Sequence, residues 1–369
     1  MVTHTAVRIT AASHHVTVAS STPSITDWSR RYFGPWWQAT SSEAGADAGP
    51  LVAAGVDETE AAQLAQLVTD YPHDVVTYAN APLLHTRDDD GCVYAHQPDS
   101  SLSYQYQPDV LRIAGTEPVP VALAAARLAR ELLRSQLLAD GWHILHASAA
   151  VRDGSTVLTL GEKGAGKTTT ALLLAQSGWQ LLANDRVFVR PDGDGGVDVL
   201  PWPSAAAIGL GSLDALGVYD EVRARHLAGE RLHPTQHERV SQALTDGKRD
   251  PIFASSGKEL KPQFFPDQLT TWLGLPLAVS GKAGRIVFPR IAPAAAPAVE
   301  GRGRELVDSD FFTAGTEDRY PDVFGLAPKA ADDEVRRVLA DRLTALPSVS
   351  VALNHDRDAS AKLLRQLTS

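Results

Sequence analysis

Eight residues, Gly161-Glu-Lys-Gly-Ala-Gly-Lys-Thr168, constrain this chain more than any other segment. They fit the pattern G-x-x-x-x-G-K-[ST] and stand between an apolar β-prone run, Val157 to Leu160, and a helical pattern from Thr168 to Gln176 that Gly178 closes. A strand feeding a glycine loop that opens a helix turns successive backbone N–H groups toward an anion, and the helix N-terminus adds partial positive charge. The segment therefore predicts a cradle for a nucleotide triphosphate built by Gly161, Gly164, Ala165, Gly166, Lys167, Thr168 and Thr169. Lys167 would reach the β- and γ-phosphates, and the Thr168 hydroxyl would complete a Mg²⁺ shell made mostly of water and phosphate oxygens. The side chains of Glu162, Lys163 and Ala165 read as spacing.

Around the loop, the pattern predicts two strands, His143 to Val151 and Thr156 to Leu160, joined by a turn at Arg152 to Ser155, and a third strand over Leu181 to Arg190. Asp192 to Gly196 (DGDGG) reads as a hairpin turn, since an acidic pair without further ligands does not make a calcium loop. Before the loop, Val121, Leu123, Ala124, Leu128, Leu132, Leu133, Leu137 and Leu138 recur at helical spacing up to Gly141, a helix expected to pack on the segment after it. The first 115 residues read as short β-prone runs, with a helix over Asp57 to Val68 and a loop at Ser41 to Pro50. Tyr32, Phe33, Trp36 and Trp37 are expected to form a core or domain-packing patch, with a peptide groove as the alternative. After Pro201 the expected elements are a helix at Leu213 to Val222, a strand at Arg285 to Ile291 ending at Pro289, a linker at Ala292 to Val299, and helices at Asp332 to Ala345 and Ala359 to Leu367 around a strand at Val349 to Leu353. The expected organisation is a β-rich amino-terminal domain, 1–115, followed by an α/β core with carboxy-terminal helices, 116–369.

Composition narrows the function classes. Of 369 residues, 34 are Lys or Arg and 44 are Asp or Glu, and the formal charge of -10 argues against general attraction to nucleic acid or an anionic membrane. Met1 to Ser20 lacks the continuous apolar run of a signal peptide, and Arg127, Arg130, Glu131 and Arg134 interrupt the longest apolar stretch, so neither export nor a membrane span is expected. Cys92 is the single cysteine, which excludes an internal disulfide and fits a cytoplasmic location.

Two flanking segments carry a family resemblance. His146-Ala-Ser-Ala-Ala-Val-Arg-Asp-Gly-Ser-Thr-Val-Leu-Thr-Leu-Gly161 and Gly178-Trp-Gln-Leu-Leu-Ala-Asn184-Asp185-Arg186-Val resemble the core of HPr kinase/phosphorylase, which has a His on the strand before its loop and a G-x-x-L-x-x-D-D-x-V strand after its helix. The resemblance covers 142–190 and, more loosely, 201–217, where Ile208-Gly-Leu-Gly211 is similar to the family's R-G-L-G stretch; it does not reach the first 115 residues. The organisation also resembles smaller kinases beside peptide natural-product pathways, such as those acting on lasso precursor peptides. It implies an α/β fold with a P-loop core of the HPr kinase / PEP carboxykinase-like type and a mixed β-sheet, and an ATP-dependent phosphotransferase using Mg²⁺.

The resemblance implies that Asp185 holds Mg²⁺, through water, or accepts the proton of the acceptor hydroxyl, with Thr168 as the second metal residue, and that His146 orients the acceptor or shares its proton. The family's first Asp is Asn184 here, an amide that cannot take that proton but can bond the acceptor, a phosphate oxygen or buried backbone. Its acidic and arginine residues before G-L-G fall on Ala206 and Ile208, so reverse phosphorolysis is not expected. Asp185, His146, Lys167 and Asn184 are thus the candidate catalytic set. His143 is expected on the opposite side of an alternating strand from His146, which argues against a metal pair. Arg186 is expected to point away from Asp185 if the strand is regular, with a salt bridge as its role. Arg290, then Lys258 and Lys261, are the candidates for a γ-phosphate cation. The favoured acceptor is a Ser or Thr hydroxyl of a peptide or small protein, with a small-molecule alcohol, a nucleotide-dependent regulatory ATPase and a noncatalytic scaffold as alternatives. A homo-oligomer is compatible with all these features.

Overall fold

The computed structural model describes residues 5–42, 49–312, 320–326 and 333–368. The chain is mixed α/β and divides into two compact units, Met1–Gly141 with Thr313–Ala331, and Trp142–Phe312 with Asp332–Ser369.

The first unit is built on a nine-stranded sheet in the order Thr40–Ser42, Thr5–Ala11, His14–Ser20, Leu51–Val56, Val110–Gly115, Leu102–Gln107, Val93–Gln97, Ala81–Arg87, Asp74–Tyr78. Neighbours are antiparallel except where Leu51–Val56 runs parallel to both of its partners. The helix Glu58–Asp70 starts where expected, with the Asp57 carboxylate accepting the Glu60 N–H at 2.9 Å. The helix Pro118–Ala139 packs on this unit's own sheet and on the helix Pro23–Trp37, which corrects the packing partner expected for it. Its buried residues from Val121 to Leu137 form one stripe against strands His14–Ser20, Leu51–Val56 and Val110–Gly115. Gly34 and Pro35 are helix breakers by type, yet Pro23–Trp37 is helical, with Ile25, Ser29, Tyr32, Phe33, Trp36 and Trp37 buried along it. The aromatic cluster is thus core, with Phe33 stacked on Trp37 at 5.7 Å. The segment 320–326 returns to this unit, its Tyr320 and Phe324 rings packing on Tyr78 and Tyr104. The expected loop at Ser41 to Pro50 lies mostly outside the described residues.

The second unit holds a sheet in the order His143–Leu145, Val187–Pro191, Val197–Pro201, Gly281–Ile291, Ser155–Thr159, Ser148–Arg152, Gln180–Ala183, and Ser348–Leu353 pairs with Gly281–Ile291 and with Ala298–Arg302. The sheet is mixed: Gly281–Ile291 runs parallel to Ser155–Thr159 and Ser348–Leu353 but antiparallel to Val197–Pro201. Alternation along Gly281–Ile291 puts Ile286 and Phe288 in a core with Leu339 and Leu343 of the helix Asp333–Ala345, while Pro289 and Ile291 face the glycine loop. The helix Lys167–Gln176 carries Arg357–Leu367 against it.

Three expected elements are divided. Leu213 to Val222 becomes two helices, Leu210–Ala215 and Tyr219–Leu227, separated at Gly217 with φ 72°. The strand expected over His143 to Val151 breaks at 146–147, and the one over Leu181 to Arg190 breaks at 184–186. The strand expected to stop at Pro289 runs on to Ile291. Among the described residues no helix is long and apolar enough to cross a membrane.

Candidate functional site

The glycine loop leaves the strand Ser155–Thr159, Leu160 N–H bonding Val287 O at 3.0 Å, and enters the helix Lys167–Gln176 at Gly166. Gly166 has φ 101°, and a Cβ there would lie 2.7 Å from Ile291 Cδ1, so backbone conformation and packing both require glycine. Gly161 is similarly restricted, with φ 151° and Ala165 Cβ 3.2 Å from where its own Cβ would be. No side chain caps the helix, so its first-turn N–H groups keep the donor capacity an anion uses. Ala165, Gly166, Lys167, Thr168 and Thr169 are half-buried, whereas Glu162, Lys163 and Gly164 are exposed.

Lys167 Nζ donates to Gly161 O at 2.7 Å and Glu162 O at 3.2 Å, which folds the ammonium over the loop. The Thr168 hydroxyl donates to Asn184 O at 3.0 Å, and since a carbonyl only accepts, the hydroxyl oxygen keeps its lone pairs for a hard cation. Asn184 O also accepts the Ser148 hydroxyl at 2.6 Å. A ladder carbonyl could not serve two side chains in this way; the break at 184–186 frees it.

Both breaks belong to one long antiparallel pair. His143 faces Val189 and Leu145 faces Val187 on one side, and Ala149 faces Ala183 on the other, in the same register. Residues 146–148 therefore lie opposite 184–186, and the structure brings His146 to the same stretch as Asn184, Asp185 and Arg186. His146 leaves the ladder just past Leu145, its ring 5.6 Å from that of Phe312. Asp185 is 58% exposed, and its carboxylate sits 3.5 Å from Arg186 Nε. The regular strand on which Arg186 would turn away from Asp185 is absent, since these residues sit in a bend, and Arg186 instead forms its ion pair with Asp185 itself. The Arg186 guanidinium lies 4.6 Å from the Phe312 ring and 5.6 Å from the Trp202 ring, so two aromatic faces hold it beside Asp185. Asn184 is 7% exposed, and its Oδ1 has no hydrogen-bond partner among the described residues.

Arg290 is not placed as a phosphate cation. Its Nε donates to Glu300 at 2.8 Å, and alternation along its strand puts it on the face opposite Pro289 and Ile291, which approach the loop. Lys261 pairs with Glu259 at 3.1 Å, and Lys258 is exposed between two short strands. The turn at 192–196 is a hairpin turn as expected, with Asp192 accepting the Asp194 and Gly196 N–H groups and pairing with Lys282 at 2.6 Å. That bond to Lys282 holds the Asp192 carboxyl below its usual value. Among the described residues no three His, Cys, Asp or Glu side chains cluster as a self-sufficient metal cage. The Thr168 hydroxyl oxygen and the exposed Asp185 carboxylate are oxygen donors of the kind a hard cation such as Mg²⁺ takes alongside water and phosphate oxygens.

Arg304 and Asp310 carry no signal in the sequence, where an Arg and an Asp six residues apart in a polar stretch have no periodicity to mark them. Asp310 is 4% exposed and Arg304 grips its carboxylate through both Nη atoms at 2.6 and 2.7 Å.

No family model matches the chain, and no curated protein matches it. Among solved structures, it is similar to the Hpr(Ser) kinase/phosphatase from Coxiella burnetii at 14% identity, covering 41% of this chain and 60% of that one with a TM-score of 0.21.

Proposed function

We propose that the second unit is an HPr kinase-like P-loop phosphotransferase that moves the ATP γ-phosphate to a hydroxyl, the favoured acceptor being a Ser or Thr of a peptide or small protein in the cytoplasm. The observation that carries the reading is the Thr168–Asn184 bond: it ties the start of the helix after the glycine loop to the bend that carries Asp185, opposite His146.

Phosphoryl transfer needs alignment and charge neutralisation more than covalent help. Gly161, Gly164, Ala165 and Gly166 offer backbone donors to the phosphates, with Thr169 on the first helical turn, and Lys167 exchanges its loop carbonyls for β- and γ-phosphate oxygens. Mg²⁺, when bound with the nucleotide, neutralises charge that builds on the transferring group. Thr168 and Asp185 are the residues that would hold it. Alternatively to holding the metal through water, Asp185 accepts the acceptor's proton, and His146 orients the acceptor from across the bend. The Asn184 amide, buried and without a charge, offers a hydrogen bond to the acceptor or a phosphate oxygen.

The test is ADP release from Mg-ATP with and without candidate hydroxyl acceptors, peptides first and small alcohols second. Acceptor-dependent release with a phosphorylated product supports the reading. ADP appearing at the same rate in water alone sinks it in favour of a nucleotide-dependent regulatory ATPase, the reading to which the exposed Asp185 and the missing second carboxylate lend some weight.

A further inference from the structure

The stretch carrying His146 has a second partner besides the 184–186 bend. His146 N–H donates to Asp310 O at 2.8 Å, Phe311 bridges Leu145 in antiparallel sense, and Phe312 N–H donates to Ile144 O at 2.8 Å. Residues 310–312 thus act as a short third strand beside 144–146, and the Phe312 ring packs on the His146 ring and under the Arg186 guanidinium. At 310–312 the enclosed Asp310 carboxylate is gripped by Arg304, whose side chain is itself 39% exposed. The Asp310 carboxylate accepts both Arg304 Nη groups and the Val307 N–H at 2.9 Å, which closes the turn at Asp308–Asp310. Arg304 in turn rests its guanidinium 4.6 Å from the Phe288 ring.

A bidentate guanidinium fixes the orientation of this enclosed carboxylate as a single ammonium does not. The bond to Asp310, and more weakly the Glu162 carboxylate on the glycine loop, hold the Arg304 guanidinium above its ordinary value.

We propose that Arg304 and Asp310 are a positioning pair: their bidentate fork locks the 307–312 turn and thereby sets the placement of His146 opposite the 184–186 bend. This rests on the kinase reading for its consequence in catalysis, though not for its geometry. Neither residue touches a substrate; both act through the His146 main chain and the Phe312 ring.

Four proteins test it: wild type, Arg304→Lys, Arg304→Gln, and the paired Arg304→Gln/Asp310→Asn, which removes both charges and so leaves no unpaired carboxylate. Two readouts are taken on each, hydrogen exchange of the His146 amide and steady-state transfer from Mg-ATP, with Mg-ADP calorimetry reporting whether the loop is intact. In Arg304→Lys the expected result is faster His146 exchange and a kcat lower by roughly 10- to 100-fold, with the KM for ATP and Mg-ADP affinity within about two-fold of wild type. The paired variant should recover much of both losses that Arg304→Gln alone suffers, which also separates positioning from simple misfolding. Unchanged exchange at His146, or an unchanged kcat in the folded single variants, overturns the proposal. If wild type shows no acceptor-dependent ADP release, it is the kinase reading that fails, and the exchange readout still decides whether the pair holds His146.

Discussion

The two sheets use their main-chain polar groups differently. In the first unit the central strands pair residue by residue, as from Leu102↔Gly115 to Gln107↔Val110, and its Arg–Glu cluster, like the Arg304–Asp310 pair of the second unit, is neutralised side chain to side chain. Arg134 meets Glu131 at 2.8 Å, Arg130 meets it at 3.4 Å, and Arg130 also reaches the Tyr32 hydroxyl at 3.3 Å. In the second unit the long pair that opens and closes the sheet is interrupted at 146–147 and 184–186, and the freed main chain binds side chains: Asn184 O takes two hydroxyls. A continuous ladder uses its N–H and C=O groups on itself and leaves only stability; an interrupted one exposes them to chemistry.

The strongest challenge to that contrast falls on the first unit. Burial alone would raise the Glu131 carboxyl, but Arg130 and Arg134 outweigh it and hold it below its usual value. Glu131→Ala should cost about 3–5 kcal/mol, read by denaturant unfolding, because two largely buried guanidiniums lose their anion. Since the folded-state value is depressed, this contribution is present above the ordinary carboxylate range and is lost as pH falls through the depressed value. Acid titration of Glu131→Gln should therefore show a flatter stability profile than wild type, and an equally steep one would mean the cluster is not what neutralises this charge.

In the second unit the corresponding loss should be functional. Lys167→Ala should lower phosphoryl transfer on the order of 10²-fold or more, and Asp185→Asn likewise, with melting temperatures near that of wild type. Full turnover in either variant would remove the 161–168 loop or the 184–186 bend from the site.

Gly166→Ala should destabilise by about 1–3 kcal/mol and weaken Mg-ADP binding measured by calorimetry, because its φ of 101° excludes a Cβ and Ile291 occupies the space. The counterpart in the uninterrupted sheet is Gly55, on the strand Leu51–Val56, where an added Cβ meets nothing within 4 Å. Gly55→Ala should stabilise by about 0.4–1 kcal/mol in the same unfolding assay. Opposite signs for one chemical change would sharpen the contrast between ladder and loop, and equal signs would break it.

The sequence by itself determined the strand, glycine loop and helix around 161–176, the Asp57 start of the second helix and the turn at 192–196, because each is set by residues within one or two turns of one another. It also placed Thr168, Asn184, Asp185 and His146 as candidates, without saying that Asn184 would contribute its carbonyl to the Thr168 hydroxyl. Only the tertiary structure decided where the strands at 146–147 and 184–186 break, since a β-prone run has no local signal for a change of partner. It alone closed the helix Pro23–Trp37 around Pro35, where burial of Phe33, Trp36 and Trp37 overrides a breaker. It alone joined Arg304 to Asp310 and turned Arg290 to Glu300. Charged side chains find partners through enclosure and geometry, and neither is written in the spacing of residues along a chain.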